Sequence, residues 1–145
     1  MAADGKNMRI IWQLGNILVN YRNKKAAFYN LTSVQMDVMI FLFKNRKKEE
    51  INQQDVQKYL MLTHPAVTGI IDRMAEKGFI IRRQSIRDAR YNCLELTEKG
   101  IELEHALVDT ASEAETIIMK NMTLEEQEEF GRLLQIAMNN INNLE

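Results

Sequence analysis

The sequence predicts a mainly α fold that carries one small β-hairpin. Three observations lead there. Apolar residues recur at spacings of three and four through most of the 145 residues. Only between Gly78 and Leu96 does the period shorten towards two. Capping residues and a glycine stop fall where the periodic stretches begin and end.

The first helix covers Met8 to Phe28, with Met8, Ile11, Trp12, Leu14, Leu18 and Tyr21 along one side. Leu31-Thr32-Ser33 offers cap chemistry for a second, strongly apolar helix from Val34 to Asn45. The charged run Lys44 to Glu50 reads as a solvated connector. Asn52 opens a third helix that reaches about Leu60. Its side chain can accept from the orphan amides of the first turn, and Asp55 suits the positive end of the dipole. Met61-Leu62 is a short turn, and Thr63 caps a fourth helix. There Val67, Ile70, Ile71 and Met74 form one stripe for burial. Lys77-Gly78 stops it, with a basic last residue and glycine just beyond.

Phe79 to Arg83 and Tyr91 to Leu96 then read as two strands about the polar turn Ser85 to Arg90, with Leu94 and Leu96 on one side. Thr97 caps a fifth helix, predicted to run to about Asn121. Thr123-Leu124-Glu125-Glu126 is a capping box that opens a sixth. Phe130, Leu133, Leu134, Ala137, Ile141 and Leu144 make one apolar stripe along it.

Length and composition narrow the functional classes. The chain has the size of a single domain, 1–145, with one sizeable core. Its longest apolar run, Val38 to Phe43, is far below the roughly 18 residues of a membrane span. Residues 1–7 lack the apolar segment of a secretory signal. One cysteine, Cys93, leaves no internal disulfide and no cysteine-based zinc site within the chain. A cytoplasmic setting is the simplest expectation. The net charge of −1 conceals an asymmetry: residues 1–94 hold 16 Lys and Arg against 8 Asp and Glu, whereas residues 95–145 hold 3 against 12. A basic body suggests a polyanionic partner.

Two short helices joined by a tight turn (52–77) and followed by a basic hairpin (79–96) form a winged helix-turn-helix candidate. A helix fits the major groove and reads base edges from its N-terminal end, while arginine suits a narrow minor groove. With the apolar stripe turned inward, the fourth helix shows His64, Pro65, Thr68, Gly69, Asp72 and Arg73, preceded by Thr63. Thr63, Thr68 and Arg73 can bond phosphate or bases. His64 and Pro65 sit at the entering tip, and Gly69 permits close approach. The hairpin carries Arg82, Arg83, Arg87 and Arg90 against Asp88, which can shape the turn by pairing with a neighbouring arginine. Four arginines argue against the alternative of a winged helix that binds protein. No catalytic constellation, phosphate loop or metal-ligand spacing involves His64 or His105, the only histidines, so neither an enzyme nor a cofactor is expected.

The motifs together resemble the MarR family of winged-helix transcription regulators. Leu31-Thr32-Ser33-Val34-Gln35 matches the family's opening of the second helix. Leu62 to Thr68, then Asp72-Arg73-Met74 and Gly78-Phe79-Ile80, match the recognition helix and its exit. Arg87-Asp88-Ala89-Arg90 followed by Leu96-Thr97-Glu98-Lys99-Gly100 matches the wing and the cap beyond it, and Thr123 to Glu126 opens the last helix. The resemblance implies a homodimer on palindromic double-stranded DNA, built by helices within 1–30 and 97–145 around a winged helix-turn-helix at 31–96. DNA contacts would fall on Thr63, His64, Pro65, Thr68, Gly69, Arg73, Arg87 and Arg90. The resemblance also implies regulation, usually repression, relieved by a small aromatic or phenolic effector or by oxidation. Trp12, Met36, Met39 and Phe43 would lie near the effector pocket. Gly69 and Ala89 stand where the family often has arginine, and Ser85 where the wing often has an acid. Cys93 lies in a wing strand and not in the first helix, where the family's redox sensors usually carry their reactive cysteine. A structural cysteine is therefore expected, with an oxidation sensor as the alternative.

Overall fold

The structure, a computed structural model, describes residues 4–48 and 50–144. They group into two units, one ending at Thr110 and the other starting at Ala111.

In the first unit, α1 (Lys6–Ala26) runs through a 3-10 turn (Ala27–Tyr29) and the left-handed Asn30 into α2 (Ser33–Lys44). Thr32 and Gln35 form a reciprocal capping box, so the cap settles on Thr32. Met36, Val38, Met39, Ile40, Leu42 and Phe43 are buried, because α1, α3 (Gln53–Leu60) and α4 (His64–Glu76) all pack on α2. Burial of each such side chain contributes roughly 1.5–3 kcal/mol. An ion pair between Arg22 and Asp37, with Ser33 N–H donating to Asn23 Oδ1 at 2.7 Å, holds α1 to the start of α2. Val56, Val67, Ile71 and Met74 complete the core. Ile70 is only half-buried, so the stripe of α4 is narrower than its spacing suggests.

Gly78, at φ 81°, turns the chain out of α4 in a conformation that favours glycine. Strands β1 (Ile80–Gln84) and β2 (Asn92–Leu96) pair antiparallel, from Ile80 opposite Leu96 to Gln84 opposite Asn92. Cys93 and Leu94 are both buried and Leu96 only partly, against the alternation expected from Leu94 and Leu96. The cause is a third segment: Leu94 N–H donates to Ile51 O at 2.7 Å, and Asn52 bridges to Cys93.

The single fifth helix expected from 97 to 121 is divided into α5 (Glu98–Ile101) and α6 (Glu104–Ile118). Thr97 caps α5 and donates to Gly78 O at 2.6 Å. Leu103 N–H then bonds back three residues to Gly100 O, tightening the turn. Gly100 lies against the strand, and a Cβ there would sit 2.4 Å from Phe79 O. Gly100→Ala is therefore expected to destabilise by about 1–3 kcal/mol, read as a lower urea midpoint. An unchanged midpoint would contradict this contact.

In the second unit, α7 (Leu124–Asn142) begins at a capping box of Thr123 and Glu126, as the sequence implied. No residue of α7 is buried, and Leu133, Leu134, Ile141 (70% exposed) and Leu144 remain open. In α1 only Ala26 is buried, and Trp12 is 68% exposed. Among the described residues no single helix is long and apolar enough to cross a membrane.

Candidate nucleic-acid interface

The turn between α3 and α4 is made locally. Asn52 and Asp55 cap α3 reciprocally, at 2.9 and 3.0 Å, and Met61 closes it in the left-handed region at φ 55°. Thr63 stands at the N-cap of α4, yet its hydroxyl makes no capping bond. Pro65 falls in the first turn, where the missing N–H costs nothing. Thr63, His64, Pro65 and Arg73 are exposed, while Thr68 and Gly69 are half-buried. A Cβ on Gly69 would meet nothing within 4 Å, so packing inside the protein does not require this glycine.

The face of α4 is braced from both sides. Gln53 Nε2 donates to Thr68 Oγ1 at 2.6 Å, and that hydroxyl donates to His64 O at 3.0 Å. Arg82 pairs with Asp72 and makes long contacts, at 3.5 Å, to Gln53 Oε1 and Thr68 O. Arg83 is held by Glu95, with Nε donating to Oε1 at 2.6 Å. Two of the four hairpin arginines thus serve the protein's own geometry, and the Thr68 hydroxyl is already in use. Arg82 and Gln53 were not legible as neighbours. Their partners lie 10 to 29 residues away, and no periodicity links them.

The wing tip is equally ordered. Ser85 Oγ accepts from Arg87 N–H and Asp88 N–H, each at 3.1 Å, and donates to Glu50 Oε2 at 2.5 Å. Ile86 N–H donates to Glu50 Oε1 at 2.7 Å. Glu50 therefore departs from the solvated connector expected of it. The Ser85 hydroxyl and then the Ile86 N–H hold its carboxyl below the usual range. Asp88 grips Arg90 with both oxygens, the shortest contact being 2.7 Å, and the Arg90 guanidinium holds the Asp88 carboxyl below its usual range. The Arg90 side chain is still 83% exposed. Arg87 and Arg90 thus stand at the tip of a loop fixed at its base.

The other candidates are not brought together. Met36, Met39 and Phe43 are core residues, whereas Trp12 is exposed on α1. Among the described residues no group of three or more His, Cys, Asp and Glu could hold a metal ion. Cys93 is 1% exposed, and burial, with hydrogen bonding to Glu50, pushes its thiol up, away from the reactive thiolate. Cys93→Ser is expected to keep DNA affinity, and peroxide is expected not to release DNA from the parent. Peroxide-dependent release abolished by that substitution would make Cys93 a sensor.

Residues 31–91 match the family model described as MarR family. The chain is 27% identical over 140 residues to YdgJ, an HTH-type transcriptional regulator of Bacillus subtilis, covering 94% of this chain and 81% of that one. It is 27% identical over 114 residues to the homoprotocatechuate degradative operon repressor of Escherichia coli, covering 77% and 75%. Its fold is similar to that of S. aureus MepR in a MepR–DNA complex, with a TM-score of 0.87 at 19% identity over 97% of this chain and 99% of that one.

Proposed function

The chain belongs to the MarR family of helix-turn-helix transcriptional regulators, and from that premise we propose that it is a homodimeric repressor bound to a palindromic operator. Regulators of this family are not enzymes. The observation that carries the proposal is the open start of α4, His64 and Pro65, on a helix held at Thr68 by Gln53 and at Asp72 by Arg82, together with a wing that presents Arg87 and Arg90. That arrangement suits a helix tip in the major groove and an arginine in the adjoining minor groove. His64, Pro65 and the Thr68 methyl would face bases, Thr63 and Arg73 phosphates, and Arg90 the minor groove beside Arg87. The repressor name of the Escherichia coli relative favours repression. Release by a small aromatic or phenolic effector, and a cytoplasmic setting, belong to the same reading.

The open apolar residues along α1, and separately those along α7, favour a second copy of the chain as partner, since large apolar side chains exposed along a helix are a common mark of an interface. A gel shift with the pure protein and unlabelled competitor duplex tests the DNA reading. A shifted band outcompeted by its own site but not by random duplex is expected. No shift at low salt would favour the alternative, a winged helix that binds protein.

Gly69 gives a sharper check. Gly69→Ala is expected to stabilise the fold by about 0.5–1 kcal/mol, because glycine is poor in a helix and the added methyl meets nothing. The same variant is expected to weaken operator binding if the helix backbone lies close to DNA there. Equal operator affinity in a stabilised variant would remove Gly69 from the interface.

A further inference from the structure

The wing tip carries a side chain that the fold does not use. Ile86 is 87% exposed, and among the described residues no large apolar side chain is more so. Turn chemistry does not ask for it, because such loops favour glycine, asparagine, aspartate and serine. Its backbone is nevertheless fixed. Ile86 N–H donates to Glu50 Oε1 at 2.7 Å, and Arg87 N–H and Asp88 N–H both donate to Ser85 Oγ at 3.1 Å. Ser85 N–H donates to Tyr91 O and Tyr91 N–H to Asp88 O, each at 3.0 Å, which closes the loop. A β-branched side chain on a fixed backbone has little rotamer freedom left to lose. Ile86 is thus held open to solvent, with Arg87 next in sequence and Arg90 on the same loop.

Resting on the DNA reading above, we infer that Ile86 is a sequence-selecting residue of the wing, which rejects G·C pairs in the minor groove that the wing enters. The cations on the same loop commit the tip to a polyanion, and so to the duplex. The selection lies in the groove floor. A·T and T·A pairs show acceptors alone there, whereas a G·C pair adds the N2 amino donor of guanine. The Arg90 guanidinium can bond the acceptors that every pair presents. Ile86 offers no acceptor to the amino group. Seated over it, the side chain displaces water and leaves that donor unpaired, which disfavours binding. The amino group also stands up from the floor into the space that a branched side chain needs.

The test uses the full chain and a duplex that it binds, obtained by selection from a random pool. Hydroxyl-radical footprinting locates the pair beneath the wing, and that pair is made A·T, G·C or inosine·C. Inosine lacks the amino group of guanine but keeps its major-groove face. The parent is expected to bind the G·C duplex about tenfold more weakly than the A·T duplex, and the inosine·C duplex as tightly as A·T. Ile86→Ser supplies a hydroxyl that accepts from the amino group, and is expected to cut the G·C penalty to about twofold or less. Ile86→Val is expected to keep the penalty. Both variants are expected to keep the parental salt slope, because neither loses a cation, which separates Ile86 from Arg90. The side chain is exposed, so neither substitution disturbs the core. An equal penalty in the parent and in Ile86→Ser would overturn the assignment and leave the selection to groove width read by the arginines. A parent indifferent to G·C would overturn it too. A parent that binds no duplex at all would instead overturn the DNA reading, and the role of Ile86 with it.

Discussion

Arg73→Ala is expected to weaken binding to operator and random duplex alike, and to lower the salt slope by about one per subunit. Arg73 is exposed on α4 well past its first turn, so the proposed reading assigns it to a phosphate and not to a base edge. His64→Ala has the opposite signature. It is expected to cost roughly 1–3 kcal/mol at the operator and much less on random duplex, because His64 stands in the first turn of α4, which the proposed reading places at the base edges. Arg90→Ala is expected to weaken binding most where the flanking groove is A·T-rich and narrow. Asp88 already fixes that guanidinium, so Asp88→Ala is expected to reproduce part of the Arg90 loss although it removes no positive charge. Affinity for two duplexes across a salt series separates these cases. Parent-like behaviour in every variant would mean that the winged helix does not read DNA.

Deleting residues 123–145 is expected to abolish the dimer, giving monomer or aggregate in light scattering. The stripe of Leu133, Leu134 and Ile141 is open along α7, and its helix is capped to stand as a rigid element by Thr123 and Glu126. Loss of the dimer is also expected to reduce operator affinity far more than any single side chain, because two half-sites would no longer be joined by one protein. A well-folded dimer after the deletion would contradict the assignment of α7 to the interface.

What could be read from the sequence was local. The caps at Thr32, Asn52, Thr97 and Thr123 need only residues three apart, and each forms as expected. The hairpin announced itself by its change of period, and Gly78 by its place after Lys77. What stayed hidden was set by distance along the chain. Glu50 reads as a solvated charge because Ser85, its partner, lies 35 residues away. Arg82 and Arg83 read only as part of the hairpin's basic charge because nothing local marks Asp72 and Glu95 as their partners. The break between α5 and α6 likewise has no local marker such as a proline, and the close approach of Gly100 to Phe79 beside it is a tertiary contact. At the candidate interface, residue types on α4 were legible, whereas the bracing that orients them was not.

The central claim is that one recognition helix and one wing from each of two subunits read a symmetric site. Selection of bound duplexes from a random pool by the full chain tests it most directly. An inverted repeat with half-site centres about one helical turn apart is expected. Recovery of no enriched sequence, or of an asymmetric single site, would contradict it.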